Sequence, residues 1–299
     1  MRVHAVFLAF ALAAPVSAQD FWKHWGDGRA ELDGYRLTQP RYGANRKGSA
    51  VLVFVTEDFS DTLRVKAEPG QHPAKDVYPV MKLNVIRSFQ TGIYDYNTMT
   101  SIFARVAVGW PLVKISFSSQ DWCGHVWHQI LPDPTGVSGV FHSYFDGEAD
   151  GRDALPLPKG GVFEDALPLL LRGWNGAYLK AGESRSVPFL GSLFGSRLAH
   201  RALAWGRATI SRAAAPSEVK VPAGTFAAIL YTVAEEGGPK AVYAFEAAPP
   251  FRLLRRSSDA GDDAVLLGSS RQAYWRENGP EGEKYLKELG LKPHSRLAP

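Results

Sequence analysis

Short β-prone runs alternate with turn-forming residues through the first half of the chain, from Ala30 to Gly147. The runs are rich in Val, Ile, Leu, Phe and Tyr, and the segments between them are rich in Gly, Pro, Asp, Asn and Thr. This alternation predicts an antiparallel meander. The predicted strands cover residues 49–56, 63–67, 80–86, 101–106, 112–118, 126–131 and 141–145.

A segment rich in proline and glycine interrupts this pattern. It reads GRDALPLPKGG at residues 151–161, which predicts a boundary or crossover between two halves of the chain. Beyond the crossover, a last helix is predicted over residues 281–289, with Gly290 and Pro293 as its end signals. β-prone runs precede this helix at residues 208–212, 227–234, 241–247, 252–256 and 264–270.

Two further helices are predicted directly after the crossover, because apolar residues there recur at helical spacing. Pro168 limits or kinks the first of them. The apolar stripes are Phe163, Leu170 and Trp174 near residues 162–174, and Phe194, Leu198 and Trp205 near residues 192–205. The order of elements predicts a mostly β (α+β) fold, in which two or three helices cover a curved antiparallel sheet or half-barrel.

The first 18 residues have the pattern of a cleaved secretory signal, with Arg2 before an apolar run and VSA before Gln19. The run is about ten residues long, whereas a membrane-spanning helix needs roughly 20. We therefore expect cleavage near Ala18, no transmembrane segment, and a product in the periplasm or outside the cell. The mature chain then comprises residues 19–150, the crossover, and residues 162–299, packed together as one unit.

Composition narrows the classes of function. Hydrophobic residues make up 45% of the chain and charged residues 21%, which supports a large packed core. The net charge is +4, and the basic residues are scattered without interleaved aromatics, so no nucleic-acid partner is expected. No phosphate loop or dinucleotide fingerprint occurs, so no cofactor is expected. Cys123 is the only cysteine, which excludes an intramolecular disulfide.

The densest cluster of reactive side chains is the run QDWCGHVWH at residues 120–128. The candidate catalytic residues in it are Asp121, Cys123, His125 and His128. A thiol beside imidazoles is the arrangement of a thiol or metal-assisted hydrolase. The alternative, which we favour, is a half-buried Cys123 packed among Trp122 and Trp127, because free cysteine is commonly a small core residue.

A second, weaker candidate is a metal site in the run DGEADG at residues 146–151. Asp146, Glu148 and Asp150 match the first half of a calcium loop, but the position of the closing glutamate is Leu157. The alternative is a solvated acidic turn.

The second half of the chain carries the run VPAGTF at residues 221–226, followed by FEAAPPFRLLR at residues 245–255. These runs resemble the domain of unknown function 3108, a secreted family with a comparable turn between strands. The first half, with RYGANRKGSAVLVFVTEDF, resembles uncharacterised exported bacterial proteins. Such proteins are sometimes labelled septum formation inhibitor Maf, although the chain lacks the Ser-Pro-Arg-Arg run of Maf pyrophosphatases. The resemblance implies a half-barrel like the lipoprotein carriers of the bacterial envelope.

Together these features predict a non-catalytic envelope protein that binds an apolar small molecule or another envelope component. The alternative is an enzyme that uses Cys123 with His125 or His128. A carrier needs an apolar cavity between the sheet and the helices. An enzyme of this kind needs an accessible Cys123 within about 3–4 Å of an imidazole.

Overall fold

The computed structural model describes residues 18–293, so the predicted leader lies outside the described residues except for its last residue, Ala18. The described chain is mostly β and forms one sheet of 16 strands. Every strand pair is antiparallel except one, which makes the sheet mixed. The predicted fold class, a sheet-based α+β protein, is confirmed. No helix among these residues is long and apolar enough to cross a membrane.

The first eight strands follow one another as a meander, each paired with the next. Their hairpins close through residues suited to tight turns: Tyr42 and Gly43 have φ values of 53° and 71°, so both adopt the left-handed conformation that a type I′ turn requires. The strands are β1 (Ala30–Arg41), β2 (Ala44–Ser60), β3 (Val77–Thr91), β4 (Tyr94–Arg105), β5 (Leu112–Gln120), β6 (His125–Asp133), β7 (Gly136–Ser143) and β8 (Asp150–Leu155).

The second run of strands returns to the start of the first. Its members are β9 (Val162–Phe163), β10 (Ser184–Leu190), β11 (Trp205–Arg212), β12 (Ser217–Val221), β13 (Gly224–Glu235), β14 (Lys240–Glu246), β15 (Leu253–Ser258) and β16 (Asp263–Gln272). β16 pairs with β1, so the two runs become one sheet. Its outermost strands, β8 and β9, are consecutive in the chain and are joined by residues 156–161.

Short helices accompany the sheet. The α-helices are α1 (Ala18–Trp25), α2 (Leu167–Leu170) and α3 (Leu193–Ala199), and 3₁₀ segments cover Ala74–Asp76, Glu164–Ala166, Tyr274–Arg276 and Pro280–Leu289. The last of these ends at Gly290, whose φ is 67°, at the predicted stop signal, although the segment is a 3₁₀ and not an α-helix.

The first predicted helix, near residues 162–174, is wrong in its extent. Val162 and Phe163 pair with β10 as a short parallel strand, and the helical residues that follow end at Leu170. The second, near residues 192–205, is shorter than predicted, because His200 takes a left-handed conformation with a φ of 50° and the chain then leads into β11. Backbone pairing with the sheet therefore outcompetes the helical spacing of the apolar residues.

The predicted strand at residues 63–67 is a turn. The carboxylate of Asp76 organises it, accepting hydrogen bonds from the Ser60 hydroxyl at 2.6 Å and from the Thr62 amide at 2.8 Å. Residues 65–67 still contact the end of β2, because the Ser60 amide donates to the Val65 carbonyl, the Ala67 amide donates to the Asp58 carbonyl, and Lys66 forms an isolated bridge with Phe59.

The main core lies on one face of the sheet, between the strands and the helices α1 to α3. Fully buried aromatic side chains come from both runs of strands, among them Tyr35, Phe54, Phe117 and Phe245. A smaller core lies on the opposite face, where Leu289 packs against residues of β1 and β2. This inner face of the sheet is therefore one continuous apolar surface on which a binding site can form.

We predict that Gly34→Ala destabilises the protein by about 1–3 kcal/mol, because overpacking a filled contact forces backbone shifts. A Cβ atom at Gly34 would lie 2.1 Å from the carbonyl oxygen of Leu289, where the last helical segment docks on the sheet. Urea unfolding measures the change in the free energy of unfolding. The control is Gly206→Ala in β11, where the nearest atom to the added Cβ lies 3.9 Å away. Equal losses in the two variants would contradict this account.

Candidate functional site

A cavity of about 590 Å³ lies between α3 and the inner face of the sheet. Its floor combines strands from both runs, β1 to β3 and β13 to β16. Its roof is α3, the residues that follow α3, and the turn at Glu164–Ala166. Apolar lining comes from Leu37, Leu52, Val85 and Leu253 below and from Phe194, Leu198 and Leu203 above.

Two adjacent carboxylates hold the start of α3 in place. Glu164 accepts a hydrogen bond from the amide of Ser192, and Asp165 accepts one from the amide of Leu193, both at 2.9 Å. The Ser192 hydroxyl caps the helix by accepting a hydrogen bond from the amide of Gly195 at 2.9 Å. The amides of Ser192, Leu193 and Gly195 at the start of α3 are therefore satisfied. These hydrogen bonds hold α3 in place over the sheet.

One wall of the cavity is a saturated charge cluster around Arg256 of β15. Its Nε donates to the Tyr243 hydroxyl at 3.2 Å, its Nη2 pairs with Glu164 at 3.3 Å, and its Nη1 pairs with Asp262. Every nitrogen of this guanidinium has a partner. The cluster therefore links β14, β15 and the roof without leaving a free charge.

A second guanidinium, that of Arg87 on β3, is not saturated. It lines the cavity, and its centre lies 4.6 Å from the centre of the Phe194 ring of α3. Its Nη1 atom is inaccessible to solvent and has no hydrogen-bond partner, and Arg87 forms no ion pair with any of residues 18–293. Burial, and then the charge of Arg256, lower its pKa. A partly buried cation without a counter-ion is less favourable than one that is paired.

Asp165 is a second residue of the cavity lining whose pKa is shifted. Burial raises its pKa to about 6, and the neighbouring charge of Glu164 adds to the rise, against the hydrogen bond from Leu193 and the charge of Arg87. The carboxyl group that accepts the hydrogen bond from Leu193 at the roof of the cavity therefore has a pKa of about 6.

The structure separates the two predicted apolar stripes. Phe194 and Leu198 line the cavity under α3. Phe163 and Leu170 instead line a different cavity of about 560 Å³, beside Trp110. The remaining two residues of the stripes lie elsewhere: Trp174 packs against Phe251 and Trp25, and Trp205 packs edge-on against Phe163. Phe194 and Leu198 of α3 therefore face the cavity, whereas the first predicted helix is divided between β9 and short helical segments that end at Leu170.

The cysteine cluster spans a turn and not one strand. The Asp121 carboxylate accepts hydrogen bonds from the amides of Cys123 at 2.7 Å and Gly124 at 3.2 Å, which closes the turn between β5 and β6. Cys123 is exposed, so the expectation of a half-buried thiol is wrong. It lies outside the cavity under α3.

The two candidate imidazoles lie on opposite faces of β6. His125 is exposed at the start of the strand. His128, three residues later, is largely buried and pairs with Asp153 at 2.5 Å. Within the described part of the chain, no histidine forms a hydrogen bond with the Cys123 thiol.

The acidic residues of the candidate calcium loop have separate partners. Glu148 pairs with His200 and accepts a hydrogen bond from Ser143, and Asp150 pairs with His142 at 2.9 Å. Asp146 is exposed. Over residues 18–293, no group of three or more His, Cys, Asp or Glu side chains could hold a metal ion.

Sequence reasoning missed the charged residues of the cavity. Arg87 carried a usable signal, because it occupies an inward position of β3 in the alternation of Leu83, Val85 and Phe89, all of which are buried. A charged residue at an inward-facing position of a strand, among apolar residues at the other inward positions, indicates a polar site in the interior. Asp165 and Arg256 carried no comparable signal, since only tertiary contacts bring them to the cavity.

Comparisons of the chain with protein-family models, with curated proteins and with solved structures give no match. The resemblance to the domain of unknown function 3108 stays a prediction. In the structure, the run at residues 221–226 is the hairpin between β12 and β13, where Gly224 has a φ of 143°. The Phe226 side chain is partly buried and packs against the main core.

We predict that Asp165→Asn removes a pH-dependent loss of stability. Because burial raises the pKa from 3.8 to about 6, the folded protein keeps this proton where the unfolded chain has lost it. The free energy of unfolding therefore falls as pH rises through this interval. Asparagine still accepts the hydrogen bond from Leu193, so the variant should gain on the order of 1–3 kcal/mol over the wild type between about pH 4 and pH 7.

Urea unfolding at these two pH values measures the difference. The control is Asp58→Asn, which alters an exposed carboxyl of β2. A wild-type and an Asp165→Asn protein with parallel pH dependence would refute the assignment.

We predict that iodoacetamide labels Cys123 in the folded protein at nearly the rate measured in urea, because the thiol is exposed. Cys123→Ala should change the free energy of unfolding by no more than about 0.5 kcal/mol, as expected for a surface position. Mass spectrometry of the labelling time course measures the first value. Strong protection of the native thiol would contradict the exposed placement.

Proposed function

We propose that this protein is a non-catalytic binding protein of the bacterial envelope, and that an apolar ligand occupies the cavity between α3 and the sheet. The cavity of about 590 Å³ carries this proposal, since ligand pockets fall within roughly 300–1,000 Å³ and are lined mainly by apolar side chains. A purely structural contact between helix and sheet would be close-packed.

The route into the cavity supports a ligand larger than water. Exposed residues belong to its lining, namely Arg201 and Ala202 after α3 and Gly237 and Pro239 in the turn between β13 and β14. Apolar side chains line the deeper part, from Leu52 and Val85 on the floor. Exposed residues at the opening and apolar residues at greater depth suit the entry of an apolar group from water.

The chemistry of the lining supports binding over catalysis. None of the residues that line the cavity is a histidine or a cysteine. The Ser192 hydroxyl is engaged as a helix cap, and the Tyr243 hydroxyl accepts from Arg256. A nucleophile paired with a base is the basis of hydrolase chemistry, and this lining presents none. The envelope location rests on the predicted signal at residues 1–18.

We predict that the neutral apolar dye N-phenyl-1-naphthylamine binds the folded protein with one site, and that Leu198→Gln weakens this binding about tenfold by introducing an amide that the cavity leaves unpaired. Leu198 lines the cavity from α3. Fluorescence titration measures the affinity, and native mass spectrometry of protein from its own envelope reports any retained adduct.

The matched control is Leu63→Gln, since Leu63 is 61% exposed in the turn before β3. This variant should bind the dye as the wild type does. The carrier proposal fails if the wild type binds no dye without unfolding and carries no adduct. It also fails if both variants weaken binding equally.

A further inference from the structure

We infer that the ligand of this cavity is an anionic amphiphile, with its charged head at Arg87 and its apolar chain along the inner face of the sheet. This inference rests on the proposed function, because it names the class of ligand that the same cavity binds. The juxtaposition that carries it is a partly buried guanidinium, without an ion pair among residues 18–293, beside the apolar part of the cavity lining.

Arg87 lines the cavity without an ion-pair partner among residues 18–293. Its Nη1 atom has no hydrogen-bond partner and no access to solvent. Thr98 lies directly opposite Arg87 in the β3–β4 pair, and its Oγ1 atom is also buried without a partner. Two neighbouring polar atoms, Arg87 Nη1 and Thr98 Oγ1, therefore have hydrogen-bonding capacity that no group among residues 18–293 uses.

The two carboxylates whose charge acts on Arg87, those of Glu164 and Asp165, have other partners. Glu164 pairs with Arg256 and accepts from the Ser192 amide. Asp165 accepts from the Leu193 amide. Both act on Arg87 through their charge, and neither forms a hydrogen bond with it. An anion that enters the cavity would supply the short, charge-assisted hydrogen bond that these groups do not.

The surface of the sheet next to Arg87 is apolar. Val85 precedes it by two residues on the same face of β3, and Leu52 and Leu37 continue the apolar floor on β2 and β1. Phe194 covers the guanidinium from above. A ligand whose anionic group reaches Arg87 must therefore place its remaining atoms against hydrocarbon, which selects an amphiphile over a small inorganic anion.

The test uses the full-length mature protein and displacement of N-phenyl-1-naphthylamine. Dodecanoate should displace the dye at a concentration at least about tenfold lower than 1-dodecanol, which has the same chain without the charge. Dodecyl phosphate is compared with dodecanoate to distinguish a phosphate head from a carboxylate head. Inorganic phosphate alone should displace no dye.

Arg87→Gln should remove the preference for dodecanoate and change the affinity for 1-dodecanol by less than about twofold, because only the charge-assisted contact is lost. Arg87→Lys should keep part of the preference, since it keeps the charge. The matched control is Arg36→Gln, an exposed arginine on the opposite face of β1, which should leave both affinities unchanged.

Equal displacement by dodecanoate and 1-dodecanol in the wild type would overturn the inference and leave the proposed function standing. That comparison needs no variant, so it decides the question even where Arg87→Gln fails to fold. Displacement by inorganic phosphate alone would also overturn the assignment of an amphiphile. Failure of the wild type to bind the dye or any of the three chain-bearing probes would instead end the proposed function itself.

Discussion

The pairing of β1 with β16 is the contact on which the architecture depends. It runs from Ala30 opposite Gln272 to Thr38 opposite Asp263, with one irregularity after Gly34. Without it, each run of strands would end in a long edge with unpaired backbone groups, a template for aggregation. With it, the inner faces of both runs become one surface. The cavity under α3 exists only because its floor takes strands from both sides of this seam.

The seam also carries buried charge. Glu31 of β1 pairs with Arg172 at 2.5 Å, and the same guanidinium donates to the carbonyl of Pro250 at 2.9 Å. Trp25 and Phe54 flank the guanidinium. Such additional hydrogen bonds offset part of the desolvation cost of an ion pair this deep, although the Nη1 atom of Arg172 has no partner among the described residues. Here it ties α1, the segment after α2 and the second run to the central strand.

The interior thus contains two kinds of arginine, which differ in whether a group of the protein pairs with the guanidinium charge. Arg172 and Arg256 are held by carboxylates and carbonyls that belong to the protein. Arg87 is only partly buried, lies against Phe194 and forms no ion pair with any of residues 18–293. Because a charge in the interior is unfavourable without a counter-ion, this difference in ion pairing separates two arginines with partners in the protein from one whose charge a ligand is able to pair.

The sequence by itself determined the mostly β character and most strands of the first half, because period-two alternation and turn residues are local signals. It also placed Phe194 and Leu198 on a helix that faces the sheet. It could not predict that Val162 and Phe163 would join a strand, or that Cys123 would be exposed in a turn. Those outcomes were decided by the tertiary structure, since pairing partners and burial depend on residues distant in the chain. Arg87 illustrates both: its inward position in β3 follows from the local alternation, whereas its lack of an ion pair within residues 18–293 follows only from the fold.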